Sequence, residues 1–320
     1  MMYDSSKPRP LAVAISPVAW RVAIAVLVMA GCTRSRVAGE IPNATAVELA
    51  PGVVSNGHRF MVALTPDGTA LYTVERRFLV PGGPPSLVIL ESRRTATGAW
   101  GLPDTASFSG TWQDIDPAIS PDGRRLWFNS ARPAEGRDSS RSDFDIWYVD
   151  REANGWGTPR RLPAPVNTPG SDFFATAASS GALYYTAAQD VPVRRSWILR
   201  SMPLSGDRWS APETLAVVNA PPENASNPFI APDESWLVFG SARAGGHGDS
   251  DLYISERRGA NWSTPRNLGP AVNTPLSEFA PSVSPDGKTL FFTRMRRGAD
   301  RNAVEERLFL IPFASVRGGG

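Results

Sequence analysis

Three carboxylates occupy one position of an internal repeat, and their spacing is what would support chemistry. Asp114, Asp172 and Glu278 each stand eight residues before a turn that recurs along the chain, and Arg59 holds this position in the first copy. Carboxylates that converge at the mouth of a channel bind a cation or a basic peptide, or act as acid and base on a sugar. We predict a binding mouth at these four residues and the nearby Trp112. The structural alternative is that acidic residues before a strand cap a turn and face solvent.

The chain lacks the residue pattern of a nucleophilic hydrolase. Its two histidines, His58 and His247, lie in different copies of the repeat, and it has one cysteine, Cys32. A Ser-His-Asp triad needs a histidine beside an activated serine, and no Gly-x-Ser-x-Gly turn occurs. The glycine-rich run 245–251 lacks the ligand spacing of a calcium loop. The sequence therefore predicts no metal site, no cofactor and no triad chemistry.

An arginine recurs ten residues after the same turn in four of the five copies. These residues are Arg77, Arg132, Arg243 and Arg296. A guanidinium group pairs with a carboxylate through two parallel hydrogen bonds, so we predict a repeated structural bond. The candidate partners are Asp143, Asp145, Asp249 and Asp251. A ring of arginines that recognises an anionic ligand is the alternative.

These columns exist because the chain repeats itself about every 55 residues. The first marker is the turn, which reads Pro-Asp-Gly at 66–68, 121–123 and 285–287, and is altered at 179–181 and 232–234. A second marker, Trp-x-x-Pro, begins at Trp100, Trp156, Trp209 and Trp262. Short apolar runs between glycine and proline turns at such a period are typical of propeller blades, because each small sheet needs neighbours to cover its faces.

Each unit contains four predicted strands, and the last unit lacks one of them. In that unit the strands fall at 279–283, 289–293 and 308–311, and the chain ends before a fourth. Residues 46–51 resemble the fourth strand of other units and would complete the ring, which removes two unpaired sheet edges. We predict an all-β protein, a five-bladed β-propeller of four-stranded antiparallel blades closed by an N-terminal strand.

Charge and the N-terminus bear on partners and location. The 33 Lys and Arg nearly balance 31 Asp and Glu, so no nucleic-acid surface is predicted, and one monomeric domain is expected. Positive residues precede an apolar run at 22–29, followed by Ala30-Gly31-Cys32. This has the form of an export signal and resembles the bacterial lipobox, whose cysteine takes a lipid. Ordinary cleaved secretion and an uncleaved membrane anchor are the alternatives.

The predicted boundaries follow from these signals. We expect a signal peptide over 1–31, a tether over 32–45, the propeller over 46–314 and a disordered tail over 315–320. The resemblance to lipoproteins implies that a lipid on Cys32 holds the protein on the membrane. Because Thr33 is not the aspartate that retains lipoproteins in the inner membrane, it favours the outer membrane, facing the periplasm.

The repeats resemble a known class of propellers. The Ser-Pro-Asp-Gly turn, the Ser-x-Arg at 130–132 and 241–243, and the Asp-Ile-Trp-Tyr strand at 145–148 are similar to the Pro-Asp-Gly (WD-like) repeats of TolB-type bacterial envelope propellers. This resemblance implies an interaction scaffold. It predicts a non-enzymatic binding protein of the cell envelope, with an envelope protein or a peptidoglycan-associated molecule as partner. The alternative is a carbohydrate-binding or glycoside-hydrolase-like propeller that uses the channel-mouth carboxylates.

Overall fold

A computed structural model describes residues 44–78, 83, 85–133, 143–189, 195–220, 224–298 and 303–318. The predicted signal peptide and most of the predicted tether lie outside these residues, as does Cys32. Within the described residues, no helix is long and apolar enough to cross a membrane.

The described strands form five antiparallel sheets, each a blade of the propeller. The first described strand is β1 (Val47–Glu48), and the first blade follows with β2 (Arg59–Leu64), β3 (Ala70–Arg77), β4 (Ser86–Arg93) and β5 (Asp104–Thr105). The second blade has β6 (Asp114–Ile119), β7 (Arg125–Ser130), β8 (Asp145–Glu152), β9 (Gly155–Trp156) and β10 (Arg160–Arg161). The third has β11 (Ser171–Ala177), β12 (Leu183–Gln189), β13 (Arg195–Ser201) and β14 (Glu213–Thr214).

The last two blades repeat this order. The fourth has β15 (Ala225–Ile230), β16 (Trp236–Ser241), β17 (Asp251–Arg258), β18 (Asn261–Trp262) and β19 (Arg266–Asn267). The fifth has β20 (Ser277–Val283), β21 (Thr289–Arg297) and β22 (Ala303–Pro312). The sheet of the fifth blade is completed by β1, in the order β1-β22-β21-β20. The five-bladed, all-β fold predicted from the repeat is confirmed.

The ring closes through the N-terminal strand, as the sequence predicted. Val47 pairs with Leu310 and Glu48 pairs with Phe309 in antiparallel register. The side chains add an ion pair, since Arg307 Nη1 lies 2.8 Å from Glu48 Oε1. The last blade therefore gains its fourth strand from the start of the propeller, and no edge of β22 is left unpaired at this point.

The recurring turn is a hydrogen-bonded structural element. Asp67 Oδ1 accepts bonds from Thr65 Oγ1 at 2.6 Å and from the backbone N–H of Thr69 at 3.0 Å. Gly68 takes φ +68°, which glycine adopts without the Cβ clash of other residues. The same bonds are made by Asp122 and Asp286. The turn aspartates thus tie the first two strands of a blade together.

A Val-Asn pair precedes the next blade at 166–167, 218–219 and 272–273, and its asparagine side chain is hydrogen-bonded to the third strand of the blade before it. Asn273 Oδ1 accepts the N–H of Leu252 at 2.8 Å, and its Nδ2 donates to the carbonyl of the same residue at 2.9 Å. Asn167 and Asn219 make the equivalent pair of bonds to Ile146 and Ile198. One amide side chain therefore accepts from the N–H of a buried strand residue and adds a bond to its carbonyl, which at Ile146 and Leu252 also accepts a backbone N–H. An unpaired backbone group in a buried position is costly.

The Trp-x-x-Pro markers pack one blade against the preceding one. Trp156 of the second blade meets Tyr72 of the first edge-on, and its Nε1 donates to the Tyr72 hydroxyl at 2.8 Å. Trp262 of the fourth blade meets Tyr184 of the third in the same way. Because each of these rings fits against a ring of the preceding blade, Trp156 and Trp262 are packing residues.

The C-terminus differs from the prediction. A short helix, α1 (Ala314–Arg317), follows β22. Val316 is buried in an apolar cluster with Phe313 and Trp236, and the Arg317 guanidinium stacks 5.4 Å from the Trp236 ring centroid. Residues 315–317 therefore belong to the folded domain, so a disordered tail starting at 315 is wrong for them. Four residues are too few to produce a periodic apolar pattern, which is why the sequence did not reveal the helix.

Candidate functional site

The five innermost strands surround the propeller axis, and each carries a bulge at the same place. These strands are β2, β6, β11, β15 and β20, and each contacts the next around the ring. At each bulge one residue has a positive φ of 50–63°, and we call the five residues the bulge ring. They are Met61, Asp116, Phe174, Asn227 and Ala280. All five stand six residues before the turn aspartate, or before Ser180 in the third blade, so they lie at one level around the axis.

Neighbouring blades hold the bulge ring in place. The N–H of Met61 donates to Thr293 Oγ1 at 2.9 Å, and that of Asn227 donates to Thr186 Oγ1 at 3.0 Å. In each case the acceptor is a side chain on the second strand of the preceding blade. Because the left-handed backbone occurs in every blade and is bonded to the preceding blade at Met61, Phe174 and Asn227, it is a feature of the architecture that fixes side chains near the axis.

Three members of the bulge ring are apolar and two are polar. Met61, Phe174 and Ala280 belong to one buried apolar cluster, so they close the middle of the axis. Asp116 is only 6% exposed, and no described residue gives it a hydrogen bond or an ion pair. Burial alone raises the pKa of Asp116 to about 7. The protein thus keeps a titratable carboxyl group at its axis without the partners that buried carboxylates normally have.

A polar cavity lies between the first, fourth and fifth blades, at the end where the innermost strands begin. This axial cavity has a volume of about 440 Å³, and its lining includes Phe60, Arg76, Ser226, Asn227 and Glu306. Asn227 is a member of the bulge ring, so the cavity reaches the level of Asp116. Asp116 itself does not line the cavity, and the carboxyl group that does is that of Glu306. A polar recess with a charged group in its wall is a candidate ligand site.

Arg76 and Glu306 form a bidentate pair in the wall of the axial cavity. Arg76 Nε lies 3.0 Å from Glu306 Oε2, and Arg76 Nη2 lies 3.0 Å from Glu306 Oε1. Glu306 is 2% exposed, and the Arg76 guanidinium also lies 5.6 Å from the Phe60 ring centroid. Because Arg76 is on the first blade and Glu306 on the fifth, the pair joins the two blades that meet at the closure. It places a second carboxylate in a fixed position at this cavity.

The opposite end of the axis is apolar. A cavity there is lined by the last residues of the innermost strands and by turn prolines, among them Val62, Pro66 and Pro121. Of the described residues that line it, none is charged.

The acids predicted to form the channel mouth are buried, and each is bonded near its own blade. Asp114 Oδ1 pairs with Arg132 Nη2 at 2.8 Å, and its Oδ2 accepts from Ser109 Oγ at 2.9 Å. Glu278 pairs with Arg294 at 2.8 Å and accepts from Thr274 Oγ1 at 2.7 Å. These contacts occupy the carboxylates within the protein.

The remaining predicted mouth residues are also placed apart. Asp172 accepts from the backbone N–H and the hydroxyl of Thr168, at 2.6 and 2.8 Å, and burial raises its pKa to about 6. Arg59 pairs with Glu75 at 2.7 Å, which reverses the charges of the Glu278–Arg294 pair at the same cross-strand position. Trp112 is 43% exposed in the loop before β6. Among the described residues, no hydrogen bond or ion pair joins any two of the predicted mouth residues.

The arginine column is structural in two blades, with different partners from those predicted. Arg132 donates through Nη2 to the carbonyl of Phe108 at 3.1 Å and pairs with Asp114, whereas Asp145 pairs with Arg161. Arg243 makes the equivalent bond to the Val218 carbonyl at 2.9 Å.

In the other two copies, the arginine at this position of the repeat has a different partner. In the last blade it is Arg294 that donates to the Val272 carbonyl, at 2.9 Å, while Arg296 pairs with Glu305. Arg77 in the first blade pairs with Glu75 at 2.7 Å. Each of these guanidinium groups therefore has a partner inside the fold, and together they do not form a free ring around a ligand.

Asp116 is the residue that the sequence analysis missed. The residues six positions before the turn aspartate, or its replacement, are Met, Asp, Phe, Asn and Ala in the five copies. A charged residue therefore stands at a mostly apolar position of the repeat. That contrast was the available signal. It went unused because a bulge reverses which residues face the axis, and simple strand alternation does not reveal a bulge.

Comparison with known proteins supports the architecture. No protein-family model matches the chain, and no curated protein matches it significantly. Among solved structures, it is similar to one named as a glycoside hydrolase, with a TM-score of 0.55 and 10% identity, over 84% of this chain and 91% of the other. It is also similar to an α-L-arabinofuranosidase from Lactobacillus brevis, with a TM-score of 0.52 and 14% identity, over 82% and 92% of the two chains.

A third similar structure is a xylan β-1,4-xylosidase from Bacillus halodurans C-125, with a TM-score of 0.50 and 12% identity, over 82% of this chain and 54% of the other. At such identities the likeness establishes the propeller fold. It also corrects the sequence-based interpretation as a non-enzymatic scaffold, which rested on resemblance to binding propellers. That prediction is wrong, because the similar structures are named as enzymes that act on glycosides.

Proposed function

We propose that this protein is a carbohydrate-active propeller that hydrolyses a glycosidic bond at the axial cavity. The observation that carries the proposal is Asp116, a buried carboxyl group at the axis with no hydrogen bond or ion pair from a described residue. Asp114 and Glu278 are bonded and line no described cavity, whereas Glu306 is bonded to Arg76 and lines the axial cavity. The names of the similar structures support the same reaction class.

Two carboxyl groups would divide the chemistry. Hydrolysis of a glycoside needs one group to protonate the leaving oxygen and another to assist the incoming water or to attack the sugar. With a pKa of about 7, Asp116 holds its proton in mildly acidic solution and acts as the acid. It gives that proton to the glycosidic oxygen as the carbon–oxygen bond breaks. Glu306, fixed by Arg76, accepts the proton of the water that adds to the sugar carbon.

The cavity supplies the binding groups that a sugar needs. Ser226, Asn227 and Ser277 offer hydroxyl and amide groups for sugar hydroxyls, and Phe60 offers an apolar face. The guanidinium of Arg76 adds a positive charge beside the second carboxylate.

The proposal is tested by hydrolysis of neutral pentose and hexose oligosaccharides by the purified protein, with released reducing ends quantified between pH 4 and 9. We expect turnover that declines as the pH rises through about 7, because Asp116 then loses the proton it donates. Oligosaccharides are preferred to aryl glycosides, because a poor leaving group requires the acid. Absence of turnover across the panel would contradict the assignment. So would a rate of hydrolysis that does not change between pH 5 and pH 9.

We further propose that the protein belongs with the envelope propellers that its repeats resemble, and that a lipid on Cys32 anchors it. The support is the sequence 22–32, an apolar run followed by Ala-Gly-Cys. Cys32→Ser is expected to move the protein from the membrane fraction to the soluble fraction of the periplasm, as measured by fractionation and immunoblotting. Mass spectrometry of the unaltered protein that finds no lipid on Cys32 would exclude the lipid anchor, because an uncleaved leader by itself holds the Cys32→Ser protein on the membrane.

A further inference from the structure

A groove runs between the second and third blades, at the end of the blades that carries the recurring turns. Its volume is about 850 Å³, and we call it the arginine groove. Its lining includes Arg124, Arg125, Trp127, Asp150, Gly181 and Trp209. The axial cavity lies at the other end of the innermost strands, so the arginine groove is a separate site.

The equivalent position between the third and fourth blades is occupied by a carboxylate of the protein itself. Glu234 stands where most turns have glycine, directly after the turn aspartate, and Gly181 is the residue at this place in the preceding blade. Its carboxylate accepts hydrogen bonds from Ser180 at 2.6 Å and from the Tyr184 hydroxyl at 2.8 Å. Arg257 and Arg200 pair with it at 2.7 and 3.2 Å. This place in the repeat is thus a carboxylate site built by two adjoining blades.

In the arginine groove the glutamate is missing. Arg125 Nε pairs there with Asp150 Oδ1 at 2.6 Å, and no other hydrogen bond or ion pair joins the Arg125 guanidinium to a described side chain that lines the groove. Gly181 has no side chain to fill the space that Glu234 fills one blade further on. Tyr148 is the cross-strand neighbour of Trp127, which is the place that Arg200 has beside Tyr184 in the next blade. The Arg125 guanidinium lies 4.0 Å from the Tyr148 ring centroid. Arg125 therefore brings a cation to the position that Arg200 has in the next interface.

The other walls complete an amphipathic surface. Arg124 is exposed, and Arg151 stacks 5.0 Å from the Trp156 ring centroid. With Arg125 they outnumber the acids of the lining, Asp122 and Asp150, by three to two. Trp127 and Trp209 meet edge-on at 6.2 Å and give the groove an apolar wall. Cations beside aromatic rings suit a ligand that has carboxylates and apolar ring faces.

We propose that the arginine groove binds the carboxylate of an acidic oligosaccharide, one that contains uronic acid residues. The ligand carboxylate takes the place equivalent to that of Glu234, with Arg125 and Arg124 as its partners and the tryptophans against the sugar ring. The choice of a glycan over an acidic peptide rests on the proposed function. The groove gives a carbohydrate-active protein a hold on its polymer away from the axial cavity.

The test is binding of tetragalacturonate, measured by calorimetry and by tryptophan fluorescence. Xylotetraose and tetraglutamate are the neutral and peptidic comparisons. We expect tetragalacturonate to bind, the other two to bind at least about tenfold more weakly, and the double variant Arg124→Gln/Arg125→Gln to lose at least about tenfold in affinity. Arg258→Gln, an exposed arginine on the fourth blade, is the matched control and should bind as the unaltered protein does.

Two further measurements separate this proposal from its alternatives. Arg124→Gln alone changes an exposed side chain, so a loss of about threefold is expected in a protein whose melting is unchanged. Asp116→Asn should leave tetragalacturonate binding unchanged, so failure of the proposed hydrolysis would not affect this result. Preference for tetraglutamate, no binding of tetragalacturonate, or full affinity in the double variant would each overturn the proposal.

Discussion

Replacing Asp116 by asparagine is expected to lower kcat for oligosaccharide hydrolysis by about 10²–10⁴-fold, the usual contribution of a positioned general acid. The amide keeps the size of the side chain and cannot donate a proton to the leaving oxygen. The decline of the rate above pH 7 should disappear with the residue that causes it. Steady-state kinetics with separate kcat and KM on the same oligosaccharides provides the measurement.

Asp104→Asn is the matched control, because Asp104 is an exposed aspartate on β5. It makes the same chemical change away from the axis and should leave kcat and its pH dependence unaltered. An Asp116→Asn protein with undiminished kcat would remove Asp116 from the reaction, whatever the activity of the unaltered protein.

The same substitution is expected to stabilise the fold at neutral pH. Burial raises the pKa of Asp116 from 3.8 to about 7, so the native state binds a proton more tightly than the unfolded state does. Stability is therefore lost as the pH rises from about 4 to about 7, by about 4 kcal/mol in all. Asparagine carries no charge and avoids this loss. Urea unfolding at pH 4 and pH 8 should show near equality at the lower pH and a more stable variant at the higher pH.

That gain would distinguish a functional carboxyl group from a structural one. Removal of a bonded acid such as Asp114 leaves Arg132 without its partner and lowers stability. A residue that costs stability and is retained indicates selection for something other than the fold. A destabilised Asp116→Asn protein at pH 8 would mean that Asp116 has bonding partners that hold the fold together.

The sequence predicted the blades because they are repeated signals. The turn aspartates and the Trp-x-x-Pro markers are local and occur several times, so one weak copy does not hide the period. Closure by Val47–Glu48 followed from counting, since the last unit lacked one strand and a propeller needs it. These features depend on elements rather than on particular side-chain contacts.

The site was harder to predict because it depends on the directions of single side chains. Asp114, Asp172 and Glu278 do start the innermost strands, yet Arg132, Thr168 and Arg294 hold them in the protein. Asp116, two residues further along than Asp114, lies in the bulge ring because of one left-handed residue. A residue count gives position along a strand, and the bulge decides what faces the axis.

The altered turns of the third and fourth blades are connected in a way that neither copy reveals alone. Ser180 stands where the other turns have aspartate, and Glu234 stands where they have glycine. The Ser180 hydroxyl donates to Glu234 at 2.6 Å, so the two departures meet across the interface. An aspartate at 180 would place two carboxylates together, whereas serine provides a donor.

Glu234→Ala is accordingly expected to lower the free energy of unfolding by about 3 kcal/mol, the low end of the cost of breaking a buried ion pair. Glu234 is 7% exposed, and its loss leaves the Tyr184 hydroxyl without an acceptor. Arg200 keeps its pair with Glu213, and Arg257 keeps its bond to the Gly259 carbonyl. The low end applies because both guanidinium groups are partly exposed and regain some water. Urea unfolding at pH 7 measures the change.

Acid should reduce this difference between the two proteins. Burial opposes ionisation of Glu234, but the hydrogen bonds from Ser180, Tyr184 and Arg200 outweigh it and lower its pKa to about 2. The stability that Glu234 supplies is complete above its unfolded pKa of 4.5 and is lost as the pH falls toward 2. A difference between Glu234→Ala and the unaltered protein that is the same at pH 7 and pH 3 would show that its charge is not what stabilises the interface.

Glu234→Gly is the matched control for backbone strain, since Glu234 has φ +58°. It loses the same bonds and relieves the left-handed residue, so it should be about 1 kcal/mol more stable than the alanine variant. Ser180→Asp is expected to destabilise the unaltered protein, because the new carboxylate would repel that of Glu234. It should be tolerated in the Glu234→Gly background, where no carboxylate at position 234 faces residue 180. A double-mutant cycle should then give a coupling of at least about 1 kcal/mol. Additive effects would mean that the two altered turns arose independently and that the interface does not link them.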